Sequence, residues 1–398
     1  MPLSVRPRPY IIPEYSLTGD LLSYLACGLQ YRYQNKGSLP PSTPVQLWFG
    51  EFIHGVLEEA YREWQQSPQM RRFPWNWNSE IRNIELQIHR RLSARGLNPP
   101  PRLFCRYDSS PSNTKGLCPD INHPHKLLAS KRTEAAINTW GQHLFPLIDE
   151  AEVRLKGIRD MPNYQPRSRS NYYGITGIID VISSINLISA PSGNLILHYI
   201  HQNSQLRDVI NNLTSPEYEI IIDYKGMRRP PQPSQLDNSW NYHEWQILTY
   251  AGLRSQQPHS KPIVAGILFY LNELVPSGID LRKLKTEIAN NETDVIPSGL
   301  DLQKINNWQP RTPVPLLSFP FKESRSIRII PTFQSNVQKS FQNFDTVVDE
   351  IENSVLSETG GQSITSCWRA IPNRGTCTAC DFKTFCPSSA QPGAPTVP

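Results

Sequence analysis

The sequence predicts a mixed α/β domain with helical arms. Three observations carry this. The first two segments, about 16–33 and 44–65, repeat apolar side chains at three- and four-residue steps, the period of an amphipathic helix. The middle of the chain changes to β-branched runs, at 152–158, 173–183, 219–224 and 263–271, with helical patterns before and between them. The chain then ends on a long amphipathic pattern and a cysteine-rich tail. Strands embedded among helices, rather than segregated from them, point to one sheet flanked by helices.

In order, Leu21, Leu22, Leu25 and Leu29 mark the first helix, with Cys27 inside it, and Leu39-Pro40-Pro41 break the pattern. Leu47, Phe49, Ile53, Val56, Leu57 and Ala60 mark the second. The stretch 67–132 is irregular, holding WNWN, NPPPR, SSPSN and NHPH, with one helix expected near 78–92. A helix at 131–147 leads into the first strand, whose residues Glu152 to Ile158 alternate polar and apolar. The connection between the second and third strands is polar, with one short apolar run at 195–200. A helix at 239–254 precedes the strand at 263–271, a mixed segment covers 276–315, and 326–331 reads as a short strand. Val337, Phe341, Phe344, Val348 and Ile351 place one apolar face on the helix at 334–356. The divisions expected are N-terminal helices at 1–65, an insertion at 66–130, a core at 131–275, a second insertion or extension at 276–325, and a C-terminal helix and tail at 326–398. There is no internal repeat.

With 38% hydrophobic residues among 398, the chain has material for a sizeable core, and its 37 prolines fall in short polar runs that read as loops. A net charge of +5 permits a polyanionic partner without demanding one. Local basic clusters stand out at Arg71–Arg72, Arg90–Arg91, Lys131–Arg132, Arg167 with Arg169, and Arg228–Arg229, each read in the first place as a solvated surface. The first twenty residues hold no apolar stretch of signal-peptide length, and no window approaches the ~18 apolar residues of a membrane span. The expectation is a cytoplasmic protein. In a reducing compartment, three cysteines crowded at 377, 380 and 386 point to metal rather than disulfides.

Four features bear chemistry. His54 lies mid-helix in Gly50-Glu-Phe-Ile-His54. Asp180 interrupts an apolar strand, Gly177-Ile-Ile-Asp180-Val, where an unpaired carboxylate is costly to bury. Asp223 and Lys225, two apart on a strand, share one face. Gln246 and Tyr250, one helical turn apart, also share a face. Singly, these fit a surface histidine, a strand-end turn, a surface ion pair and an ordinary amphipathic helix.

Taken in order, they resemble the RecB-like branch of the PD-(D/E)XK nucleases. That family carries G-x-x-x-H on a helix, G-x-x-D on a strand, D/E-x-K on the next strand and Q-x-x-x-Y on the following helix, and all four are present. The resemblance implies a restriction-endonuclease-like mixed sheet and a metal-dependent DNA nuclease acting on single strands or ends, in repair, recombination or anti-phage DNA processing. Asp180 and Asp223 would offer carboxylates to Mg²⁺ or Mn²⁺, with the Tyr224 carbonyl as a further oxygen and His54 joining the shell; imidazole suits Mn²⁺ better than Mg²⁺. Lys225 would orient water and offset charge, with Gln246 and Tyr250 positioning the strand or bracing it. Arg228 and Arg229 stand where they could hold backbone phosphates. No G-x-x-x-x-G-K-[ST] motif occurs, so unwinding would fall to a helicase partner. The competing reading is a DNA-binding scaffold without hydrolysis.

The tail, C-x2-C-x5-C at Cys377, Cys380 and Cys386, lacks a fourth ligand nearby, and on spacing alone zinc would accept it. The setting of Cys27, LLSYLACGLQYRY, resembles the N-terminal cysteine helix of RecB-like nucleases with a split cluster, such as AddB and the CRISPR-associated exonucleases. It implies a [4Fe–4S] cluster held by Cys27, Cys377, Cys380 and Cys386, structural rather than catalytic. Gly28 departs from the proline usual there. Cys367 is a rival ligand; it, Cys105 and Cys118 are read as non-ligands.

Overall fold

A computed structural model describes residues 12–36, 45–100, 103–106, 126–165, 168–233, 238–372, 376–377 and 380–390. The fold is a six-stranded mixed sheet between two helical layers. Strand β1 (Glu14–Ser16) runs into a π-helical turn, Leu17–Leu21, and α1 (Leu22–Ala26). The single helix expected here breaks at Cys27, which is extended at φ −168°, and resumes as α2 (Gly28–Lys36). Helix α3 (Val45–Gln66) follows. The irregular 67–132 stretch supplies α4 (Arg82–Ala94), whose Ile84, Leu86, Ile88 and Leu92 are buried in the same core as α3. Helix α5 (Leu128–Leu144) then leads into β2 (Ile148–Asp160) and β3 (Tyr172–Asn186).

The connection expected to be polar, with one short apolar run at 195–200, forms two helices, α6 (Leu195–Gln202) on that run and α7 (Ser204–Asn211), each opened by an asparagine cap, Asn194 and Asn203. Both are only 8 residues long, too short for a helical period to stand out. Next come β4 (Glu217–Lys225), α8 (Ser239–Ser255) and β5 (Ile263–Tyr270). The 276–315 segment forms α9 (Gly278–Ala289) and α10 (Gly299–Asn307), leading to α11 (Phe319–Ser326) and β6 (Ile327–Pro331). These three helices share a small core of Leu281, Leu284, Ile305, Trp308, Leu317 and Phe321. Helix α12 (Gln334–Thr359) and a short α13 (Ile364–Cys367) precede the tail. No helix among the described residues is long and apolar enough to cross a membrane.

The topology positions the site. β3 pairs antiparallel with β2 from Tyr172 to Ser183 along one edge. Its other edge is shared by two strands that do not meet. β1 runs parallel to it opposite Gly174–Thr176, and β4 runs antiparallel opposite Val181–Asn186. The C-terminal ends of β1 and β4 therefore converge on a gap over Gly177 to Asp180. β4 is buried on both faces, with Tyr218, Ile220, Ile222 and Tyr224 against α3 and α5, and Ile221 toward α8 and α12.

The 276–320 segment is tied to this frame by buried ion pairs. Arg325 reaches Glu273 through Nε at 2.7 Å and a second nitrogen at 3.0 Å, and Glu273 also accepts the Arg229 amide at 2.9 Å. Glu287 holds Arg228, and Asp294 holds Arg229. Arg228 and Arg229, expected on a phosphate-binding surface, are instead 9% and 4% exposed and committed to these carboxylates. The sequence shows their charge but not partners 44 to 65 residues away. Removing one member of such a network leaves a buried charge uncompensated, so Glu273→Ala is expected to cost about 3–5 kcal/mol. Denaturant unfolding followed by circular dichroism checks it; a loss below about 1 kcal/mol, the range of exposed pairs, would contradict the network's role.

Candidate functional site

Asp180 faces the gap between β1 and β4 and is 8% exposed. Its Oδ2 accepts the backbone amide of Tyr224 at 2.6 Å, so the carboxylate takes over where strand pairing stops. Its Oδ1 lies 3.3 Å from His54 Nδ1, brought down from α3. Burial pushes the His54 imidazole toward neutrality, but the Asp180 charge and hydrogen bond, with Asp223 behind, outweigh it and raise the group to about 9.

A third donor comes from a residue the sequence did not single out. The β2 register passes from Ala151 opposite Val181 to Val153 opposite Ile179, which sets Glu152 across from Asp180. Glu152 has φ +53°, a left-handed conformation rare for a non-glycine residue and costly within a strand. Desolvation and the Asp180 charge raise its carboxyl to about 7. One donor atom from each of His54, Glu152 and Asp180 lies within 4.8 Å of the other two. That spread suits one divalent cation with bonds of about 2.0–2.6 Å. Nothing local in the sequence separates Glu152 from other strand glutamates; its role depends on cross-strand register and backbone conformation.

Asp223 and Lys225 stand at the end of β4 as the two-residue spacing requires, on the α8 side. Lys225 Nζ lies 2.7 Å from Asp223 Oδ2 and donates to Gln246 Oε1 at 2.6 Å. Gln246 Nε2 donates to Asp223 Oδ1 at 3.0 Å and reaches the Tyr250 hydroxyl at 3.2 Å. Burial raises the Asp223 carboxyl, Lys225 opposes this and Asp180 adds to it. Asp223 Oδ2 is buried against the Lys225 ammonium at 2.7 Å and Oδ1 accepts from Gln246, so both oxygens are engaged, and Asp223, expected among the metal ligands, stands outside the His54–Glu152–Asp180 group. Gly177 leaves room for Tyr250, since a Cβ there would lie 2.5 Å from the ring. His54, Asp180, Tyr224, Asp223, Lys225, Gln246 and Tyr250 thus line one open cavity, with Glu152 added. Tyr224 contacts Asp180 through its amide, while its ring packs in the core.

The four cysteines expected at the termini line a second pocket together: Cys27, Cys377, Cys380 and Cys386. Burial raises the Cys380 thiol, and the nearby Cys27 and Cys386 add to that. Gly28 has a reason to be there. The Arg369 carbonyl accepts the Leu29 amide at 3.2 Å and would lie 3.0 Å from a Cβ at position 28. A side chain would crowd the tail where it docks beside Cys27. Cys367 is not part of that pocket lining, and Cys105 is disulfide-bonded. Cys118 lies outside the described residues.

Among known proteins, no family model and no curated protein matches the chain.

His54 binds a cation only when neutral and Glu152 only when ionised. Raised values of about 9 and about 7 mean that protons compete with a cation in the native protein. Mn²⁺ affinity is therefore expected to rise with pH through the window from about 7 to about 9, with proton release on binding. Calorimetry in buffers of different ionisation enthalpy reads both, and a pH-independent affinity would contradict the donor set.

Proposed function

We propose that the chain is a metal-dependent deoxyribonuclease with a PD-(D/E)XK-type site, acting on DNA single strands or ends. One observation carries this reading: donors from His54, Glu152 and Asp180, on three different elements, converge beside the Asp223–Lys225 pair. These groups lie close enough to serve a single phosphodiester. Hard oxygen donors with one imidazole suit Mg²⁺ or Mn²⁺. Such a cation, when bound, supplies Lewis acidity to the phosphoryl group and lowers the pKa of a bound water.

The protein's own groups divide the remaining work. Asp180 keeps one oxygen on the Tyr224 amide and turns the other toward His54, so its orientation is set by the end of β4. Gln246 bridges Asp223 and Lys225, fixing the ammonium against a carboxylate on the same strand face. Lys225 is thereby held to orient an attacking water and to offset charge that grows on the phosphoryl oxygens. Tyr250, packed against Gly177, braces Gln246 from below.

The four-thiol pocket fits a group bound by thiolates, and we assign it a [4Fe–4S] cluster that joins the termini without entering the hydrolysis. A helicase partner and a cytoplasmic setting belong to the same reading.

Labelled single- and double-stranded DNA incubated with Mg²⁺ or Mn²⁺ tests the activity. Asp180→Ala, Asp223→Ala and Lys225→Ala are each expected to lower the rate roughly 10²–10³-fold, in the range for lost electrostatic stabilisation. Binding without degradation under every metal would favour a scaffold instead. Degradation that survives these substitutions would remove the site. For the clasp, protein purified without oxygen is expected to be brown, with iron and acid-labile sulfide, and Cys380→Ser to lose both. A colourless protein holding stoichiometric zinc would replace the cluster with a zinc site.

A further inference from the structure

The face of β2 that carries Glu152 continues past the candidate metal site. Arg154 and Lys156, two apart on β2, share one face, and Glu152 lines the same cavity with them although its backbone is left-handed. Register sets Arg154 opposite Ile178 and Lys156 opposite Thr176, and all four line the same cavity as Asp180 and Lys225. Val153 and Leu155 point to the other side, into the core beneath α8 and α12.

Two features of this face are unusual. Arg154 is exposed and makes no hydrogen bond or ion pair among the described residues, whereas the other cations near the site are engaged. Arg95 pairs with Glu51 at 3.0 Å, Arg91 with Glu59 at 3.1 Å, and Lys225 with Asp223. Beside Arg154, Ile178 is 41% exposed in a strand whose neighbours Ile175, Ile179 and Ile182 are buried. An unpaired guanidinium next to an open apolar side chain offers one group to a phosphate and one to a sugar or base. Successive rungs two residues apart are spaced by roughly 7 Å, close to one nucleotide step of an extended strand.

We propose that Arg154, with Ile178 beside it, forms a subsite for the DNA nucleotide adjoining the cleaved phosphodiester, so that a single strand lies along β2 and β3 from Glu152 toward Lys156. This rests on the nuclease reading above. Arg154 is a positioning residue: it holds the backbone phosphate one step from the reacting one, and the strand's register on the metal site follows from that grip. A duplex presents stacked bases, not an open one, to Ile178, so the subsite favours an unpaired strand.

The test uses the full chain and a labelled single-stranded oligonucleotide without divalent cation, so that binding is read apart from hydrolysis. Arg154→Ala is expected to weaken binding about tenfold and to reduce the slope of log affinity against log salt by about 0.7, the value for one phosphate contact on a single strand. Arg154→Lys should recover the slope. With Mn²⁺, Arg154→Ala should raise KM and leave kcat within a few-fold. Ile178→Ser should weaken single-strand binding without changing the salt slope. Unchanged affinity and slope in a folded Arg154→Ala protein would overturn the proposal, as would a loss that lysine does not restore or an equal loss on blunt duplex. Asp223→Ala decides the nuclease reading separately, since hydrolysis surviving that change removes the reading whatever Arg154 does. A wild-type protein that binds no oligonucleotide overturns both.

Discussion

The Asp180 carboxylate is the constraint on which the site depends. β3 is bordered on one edge by two strands that stop short of each other, and Asp180 fills the place where pairing would continue. By accepting the Tyr224 amide it satisfies a backbone donor that no strand reaches. A hydrogen bond to a charged acceptor is worth about 1.5–3 kcal/mol, so the end of β4 and the orientation of Asp180 stabilise each other. The same carboxylate attracts His54 from one helical layer and faces Glu152 from the neighbouring strand. The opposite layer contributes Gln246 and Tyr250, which hold Asp223 and Lys225. A single strand terminus therefore collects side chains from both sides of the sheet. A cleft at that terminus is open to solvent although β4 itself is buried on both faces.

What was legible in the sequence follows the range of the interaction. Asp223 with Lys225, and Gln246 with Tyr250, are fixed by spacing within one element, and the structure brings both pairs to one cavity. The strand and helix order was likewise readable, because apolar periods persist over β3, β4, β5 and α12. Glu152 was not, because its place depends on register against β3 and on a left-handed backbone that no local pattern announces. The helices α6 and α7 leave little trace in the sequence because 8 residues show too little periodicity. The N-terminal apolar spacing crosses Cys27 without a change of phase and so predicts one continuous helix, while the chain itself kinks there.

Arg228 and Arg229 show the reverse error. Adjacent arginines just after a candidate lysine invite a phosphate-binding reading. Their burial against Glu273, Glu287 and Asp294 gives them a different task, which is to hold the 276–320 segment against the end of the sheet. That segment has its own small apolar core, so it can keep its internal packing while the ion pairs fix where it sits. The distinction between a basic cluster and a basic surface lies in the partners. Exposed Arg154, without a partner among the described residues, is the better candidate for contact with a polyanion.

The N-terminal arm and the segment from the end of α12 to Arg369 meet through direct protein contacts. Arg32 pairs with Glu358 at 2.5 Å, Trp368 is buried against Tyr24 and Tyr31, and the Leu29 amide bonds to Arg369. Helix α12 also grips the sheet edge, where Asp345 holds Arg159 and the Tyr173 hydroxyl, and Glu352 holds Tyr15 and Arg169. A group bound by the four thiols would act on the same junction, fixing the final turns of the tail beside Cys27. The consequence reaches the candidate active site through the N-terminal arm. Ser16, Thr18 and Gly19 line the cavity of Asp180, and the π-helical turn and α1 run from them directly to Cys27. One wall of the cleft and Cys27 thus belong to the same short segment. Whatever holds Cys27 in place therefore also bears on how that wall stands beside His54, Glu152 and Asp180.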